Sequence, residues 1–238
     1  MRILILFICF IFLTTPALTP AIANDGDYVV LLHGIARSSS NMSKLEKHFA
    51  NKGFNVINID YKSKDYTLEI LSEDVKKEIS KNVMDVDKKI HFIGHSMGGL
   101  VIRSILNKYR PVNLGRVVML GTPNQGSEVA DFFKNNFLYR NFFGPAGQQL
   151  TTDQSKVKNL LGTVDYELGI IAGDRSIDPI SSVILKGKDD GKVRIKNTKT
   201  KGMTDHIVIH ATHTMMMKNK SVINQTEHFI THGKFKHE

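Results

Sequence analysis

Lys89-Ile90-His91-Phe92-Ile93-Gly94-His95-Ser96-Met97-Gly98-Gly99-Leu100-Val101 joins a short apolar run to a segment of helical period through a glycine-rich turn centred on Ser96. Residues 89–94 read as a buried strand. Leu100, Val101, Ile105 and Leu106 then recur at the spacing of one helix face, which predicts a helix from about Met97 to Tyr109. A strand that enters a helix through Gly-x-Ser-x-Gly sets the serine on a sharp, strained turn with its hydroxyl at the end of the strand. Gly94 and Gly98 have a steric role in such a turn, because neighbouring chain passes too close for larger side chains. A purely structural turn would use the same glycines, but the strand before and the helix after favour a reactive serine.

Outward from this stretch, short apolar runs alternate with longer amphipathic segments. Residues 28–33, 54–59, 116–120, 166–172 and 206–210 read as further strands. Residues 41–52 read as a helix with Leu45, His48 and Phe49 on one side and Gly53 as its stop signal. Residues 68–83 follow with Leu68, Leu71, Val75 and Ile79 on one face, and residues 222–231 form a closing helix. The pattern predicts an α/β fold of about six mostly parallel strands covered by helices on both faces. Residues 123–163 break the alternation: Phe132, Phe133, Phe137, Tyr139, Phe142 and Phe143 crowd ahead of Gly144-Pro145-Ala146-Gly147, and we expect a small cap inserted there. These aromatics suit either the core of the cap or the wall of an acyl pocket.

The chain has 238 residues, enough for one well-buried domain. Its first segment is set apart by Arg2, the apolar run from Ile3 to Leu13, and Ala21-Ile22-Ala23 ahead of a cleavage point. We expect residues 1–23 to be a signal peptide and residues 24–238 the exported domain, periplasmic or extracellular. The run is shorter than the roughly 20 residues of a spanning helix, and Pro16 and Pro20 follow it. The single cysteine, Cys9, lies inside this segment, so a mature chain would fold without disulfides. The formal net charge is +9, and cations recur between Lys186 and Lys201. Such an excess suits either a solvated face or peripheral contact with anionic membrane or cell-envelope polymers. No aromatic interleaving or nucleic-acid motif accompanies it, so nucleic acid is not an expected partner. Nothing in the sequence specifies an oligomer.

A serine hydroxyl is a weak nucleophile near neutral pH and needs a base within hydrogen-bond reach and donors for the oxyanion it creates. The helix after Ser96 directs free N–H groups toward the reacting centre, which makes the Met97 amide one donor. His33-Gly34-Ile35 follows the first strand, where the glycine lets the chain fold back, and the Ile35 amide is the second. In this architecture an acid and then a histidine follow the serine. His206, His210, His213, His228, His232 and His237 are the candidate bases. His213 is preferred because it falls on the loop after the last strand, from which a side chain can reach Ser96. Asp174, Asp178, Asp189 and Asp190 lie between the fifth strand and the last, and the acid that orients the histidine must sit on a tight turn, as Asp190 does before Gly191; Asp174, just after the fifth strand, competes. No histidine, cysteine and carboxylate cluster has metal-ligand spacing, and no cofactor is expected.

With these residues the chain resembles the α/β-hydrolase superfamily, and within it small bacterial lipases and esterases, from Tyr28 to about Phe235. The resemblance rests on His33-Gly34, on Gly94-His95-Ser96-Met97-Gly98-Gly99 and on Gly121-Thr122-Pro123-Asn124-Gln125-Gly126-Ser127. Asp189-Asp190-Gly191 and His213-Thr214 look like the acid and base loops of such lipases, which favours Asp190 over Asp174. The resemblance implies a minimal form of the fold, six strands rather than eight. It also implies hydrolysis of a small-molecule or lipid carboxylic ester through an acyl-enzyme, without a cofactor. Acyl transfer, amide hydrolysis and non-catalytic lipid binding are the alternatives.

Overall fold

The central apolar runs assemble into one sheet because they are buried on both faces and are sealed only by helices above and below, while the two edge runs are more polar and half-buried. The computed structural model describes residues 25–237. The six strands are β1 (Tyr28–Leu32), β2 (Asn55–Ile59), β3 (Ile90–His95), β4 (Leu114–Leu120), β5 (Leu168–Gly173) and β6 (Asp205–Ile209). They pair in the order β2-β1-β3-β4-β5-β6, and every pairing is parallel. The proposed signal segment, residues 1–23, lies outside the described residues.

The helices are α1 (Ser43–Asn51), α2 (Leu68–Asn82), α3 (Met97–Lys108), α4 (Glu128–Phe133), α5 (Phe137–Gln148), α6 (Lys158–Leu161), α7 (Pro179–Ile184), α8 (Ile195–Thr198) and α9 (Lys220–His232). Among the described residues no helix is long and apolar enough to cross a membrane.

Alternation along each strand divides the core in two. Val30, Leu32, Phe92 and Met119 face α2 and α3, where the expected stripe of Leu68, Leu71, Val75 and Ile79 is buried. Val29, Leu31, Ile93 and Val118 face α1 and α9, meeting Leu45, Phe49, Val222 and Phe229. His48, expected on the same side of α1 as Leu45 and Phe49, turns to the seam with α9 and bonds Glu227 at 2.6 Å. Gly169 in β5 makes room for α9, since a Cβ there would stand 2.6 Å from the Phe229 ring. The ends of α9 are set locally: the Asn219 side chain accepts from the Ser221 and Val222 amides, and Gly233 leaves the helix at φ 74°.

The segment expected to form a cap carries α4, α5 and α6. Helix α5 is broken at Gly144, whose φ is 59°, ahead of Pro145. A Cβ on Gly144 would also stand only 1.8 Å from the Lys64 carbonyl oxygen, so the break seats α5 against the loop after β2.

The strand order reverses between β1 and β3, since the connection from β1 leads outward to β2 and the chain then returns to β3. In open α/β sheets a crevice forms at such a point, outside the carboxyl ends of the strands. Leu32 pairs with Gly94 there, which brings the loop after β1 beside the turn after β3.

Candidate active site

Ser96 stands between β3 and α3 with φ 53° and ψ −125°, outside the regions open to an unstrained L-residue. Such a residue costs on the order of 1–3 kcal/mol and persists only where its surroundings enforce it. Here the Ser96 amide donates to the Leu120 carbonyl at 2.8 Å, and the Thr122 hydroxyl donates to the Ser96 carbonyl at 3.0 Å. The two elbow glycines are needed for clearance. A Cβ on Gly94 would lie 2.6 Å from the Gly99 nitrogen, and one on Gly98 would lie 2.5 Å from the Leu32 carbonyl oxygen.

Met97 opens α3, so its amide is among those with no partner inside the helix. Ile35 lies across the crevice, and both Ile35 and Ser96 line the same cavity. The bend that places Ile35 is tight: the next residue, Ala36, has φ 53° and its amide donates to the Ser63 hydroxyl at 3.1 Å. Gly34 comes close enough that a Cβ there would stand 3.2 Å from the Ser96 Cβ.

His213 lies on the loop after β6, where its Nε2 is 3.0 Å from Ser96 Oγ. Its Nδ1 is 2.7 Å from Asp190 Oδ2, and its amide donates to the Asp190 carbonyl at 2.8 Å. A carboxylate on Nδ1 fixes the proton there and leaves the Nε2 lone pair toward the serine hydroxyl. Asp190 is held by its turn as well, because Oδ1 accepts from the Lys192 and Val193 amides at 3.0 and 2.8 Å. All three side chains are buried. The competing acid, Asp174, instead bonds His210 Nδ1 at 2.9 Å on the exposed edge of the sheet. His206 sits beside the Thr198 hydroxyl, and His228 and His232 stack on each other along α9.

Several neighbours of this group were given no role of their own by the sequence. His95 is buried, and its Nε2 donates to the His213 carbonyl at 2.9 Å. Burial, seconded by the nearby His213, pushes its pKa well down and keeps the ring neutral. Thr122 occupies the space a Cβ on Gly99 would need, with Oγ1 2.1 Å from that position. Gly121 and Gly173 clear room for the acid: a Cβ on Gly121 would lie 2.9 Å from Asp190 Oδ2, and one on Gly173 would lie 2.8 Å from the Asp190 Cβ. His95 and Gly99 fall within the Ser96 motif, and Gly121 and Thr122 open the run to Ser127, both prominent in the sequence, whereas Gly173 lies in neither.

A cavity of about 830 Å³ opens over Ser96 and His213. Its wall includes Val129, Phe133, Tyr139, Phe142, Phe143 and Leu150, and apolar surface predominates. The aromatic cluster is therefore divided, since Phe132 and Phe137 point to solvent while Phe133 and Phe143 turn inward. Burial pushes the Tyr139 phenol up to about 12, so this wall stays uncharged. Arg37, Lys64 and Lys192 stand among the lining residues. Among the described residues no group of histidine, cysteine and carboxylate side chains is placed to hold a metal ion.

The family model for palmitoyl protein thioesterase matches residues 28–164, more than half of the chain and the part that carries β1 to β4, the Ser96 turn and the segment holding α4 to α6. The chain belongs to the palmitoyl protein thioesterase family. Solved structures agree with this palmitoyl protein thioesterase family member on the fold. The mature form of Bacillus licheniformis lipase BlEst2 superposes with a TM-score of 0.64 at 23% identity, over 90% of this chain and 93% of that one. A metagenomic carboxyl esterase, MGS0156, superposes with a TM-score of 0.61 at 15% identity, over 85% and 70% of the two chains. The lin2722 gene product of Listeria innocua gives 0.56 at 17% identity, over 90% and 96%. The chain thus has the α/β-hydrolase fold of lipase- and esterase-like proteins.

Proposed function

We propose that this protein is an exported serine hydrolase that cleaves carboxylic esters through an acyl-enzyme on Ser96. The observation that carries the proposal is His213 lying between Ser96 Oγ and Asp190 Oδ2, within hydrogen-bond distance of each. His213 Nε2 takes the Ser96 proton as Oγ attacks the ester carbonyl, and Asp190 stabilises the imidazolium that results. The Ile35 and Met97 amides hold the oxyanion. The bond to the leaving alcohol then breaks, and His213 delivers the proton to that alcohol. Water, deprotonated in turn by His213, attacks the acyl group; the carboxylic acid leaves and Ser96 recovers its proton.

The apolar cavity above Ser96 supports an acyl group on the substrate's acid side, with residues 123–163 acting as the cap around it. The family match favours a second substrate class, acyl thioesters, which would enter the same acyl-enzyme with a thiol as leaving group. Residues 1–23, cleaved on export, would release the domain to the periplasm or the medium. The test is turnover of a nitrophenyl ester and of an acyl thioester by the protein and by Ser96→Ala, together with fluorophosphonate labelling. Labelled Ser96 and inactive Ser96→Ala are expected. Full activity in Ser96→Ala would overturn the assignment, and preferential transfer to an added alcohol or amine would make the protein an acyltransferase.

A further inference from the structure

Several large apolar side chains are exposed on α4, α5 and the segment around α7, apart from others such as Met84, Val86 and Val112 that are bare elsewhere on the surface. Phe132, Phe137, Leu138 and Phe142 are more than half exposed on α4 and α5, with Phe137 at 78%. Ile177, Ile180 and Val183 are equally bare on and just before α7, with Val183 at 81%. Helix α7 packs against α4, so the two sets adjoin. Exposed apolar clusters of this kind mark interaction surfaces when they are contiguous rather than scattered.

Cations outnumber carboxylates on and beside the same elements. Lys134, Arg140, Arg175, Lys186 and Lys188 are exposed, and none has an ion-pair partner among the described residues. The carboxylates of these elements are all engaged. Glu128 bonds Arg194 and Asn197, Asp131 bonds Thr152, Asp174 bonds His210, and Asp178 bonds Lys192 and caps α7. Apolar side chains interleaved with unpaired cations that outnumber the carboxylates are complementary to an acyl-chain layer beneath anionic headgroups.

The surface is also tied to the cavity. Leu138 and Phe142 belong both to the cavity wall and to the exposed set. On the other side Lys192 joins α7 to the Asp190 turn: its Nζ donates to Asp178 Oδ2 at 2.6 Å and its amide donates to Asp190 Oδ1 at 3.0 Å. We propose that α7 and the outer faces of α4 and α5 form a docking surface for an anionic lipid bilayer, which presents the cavity mouth to the membrane plane. The surface does not require Ser96 to be a nucleophile.

The test is sedimentation of the purified protein with vesicles of phosphatidylcholine alone and of phosphatidylcholine mixed with phosphatidylglycerol. Binding is expected to the anionic vesicles, to weaken as salt rises, and to be much lower on neutral ones. Ile180→Ser with Val183→Ser should reduce binding roughly tenfold or more, and adding Phe132→Ser with Phe137→Ser should abolish it. None of these four side chains lines the cavity, so hydrolysis of a short soluble ester should be unchanged and would report that the variants fold. Ser96→Ala should bind vesicles like the parent, so loss of the hydrolase assignment and loss of the docking surface are separate results. Equal sedimentation of parent and variants, or equal binding to neutral and anionic vesicles, would overturn the proposal. So would a dimer in solution that the four substitutions dissociate, since a second copy would then cover the face.

Discussion

A Cβ built on Gly121 would stand 2.9 Å from Asp190 Oδ2 and 3.1 Å from His213 Nδ1, so the bond between these two side chains packs directly against the bare face of residue 121. Gly121 also has φ 57°, which an L side chain adopts at a cost. Gly121→Ala should therefore push the carboxylate and imidazole apart. We expect turnover of a nitrophenyl ester to fall by roughly a hundredfold, because small misplacements of reacting groups cost that much. A variant with parental kcat would show that the loop relaxes without disturbing His213.

Removal of the proposed reacting groups should be more severe. Ser96→Ala, His213→Ala and Asp190→Asn should each lower kcat by on the order of 10⁴ with little change in thermal stability. Asp174→Asn should retain parental kcat, because its carboxylate bonds His210 and not His213. Steady-state kinetics on the four proteins would distinguish Asp190 from Asp174 directly.

Acid should destabilise the fold before the carboxylates titrate. Burial lowers the His206 pKa to about 4, and burial likewise lowers those of His33, His91 and His95. The unfolded chain takes up protons near pH 6.5, where the folded chain does not. Stability contributed by the neutral rings is thus complete above about 6.5 and is lost as pH falls, for His206 until about 4, where both states are protonated. Tm measured from about pH 7 downward should decline across that window, and His206→Gln should make the decline shallower.

Arg103 is buried against neutral partners, donating to Asn124 Oδ1 at 3.0 Å and to the Gly162 carbonyl at 2.9 Å. It braces Asn124, whose side chain also donates to the Thr198 carbonyl at 2.7 Å. Arg103→Leu would leave one buried and one half-buried acceptor unpaired, and chemical denaturation should show a loss of about 2–4 kcal/mol. A loss below about 0.5 kcal/mol would mean that the loop finds other donors.

Strand and helix positions were legible because each rests on local pattern. The apolar runs of β1, β3 and β5 are hydrophobic at consecutive positions, which only a strand buried on both faces requires, and the stripe from Leu68 to Ile79 has the period of one helix face. The Ser96 turn was legible for the same reason, since Gly94, Gly98 and the flanking elements lie within a few residues of it. The preference for Asp190 over Asp174 rested on a local turn, but the contact itself is not local. Both follow β5: the turn at Gly191, which the Lys192 and Val193 amides close on Asp190, is local and pointed to Asp190, but the clearance at Gly121 and Gly173 that lets this carboxylate meet His213 comes from separate parts of the chain.

By itself, then, the sequence determined the α/β class, the order of strands and helices, and a strained serine between β3 and α3, because propensity, periodicity and tight turns act over a few residues. Tertiary structure alone decided whether the acid preferred from its turn meets His213, and which aromatic side chains enclose the cavity and which face outward. Ser96 and His213 are 117 residues apart and Asp190 and His213 are 23 apart, and contacts over such separations depend on packing rather than on local pattern.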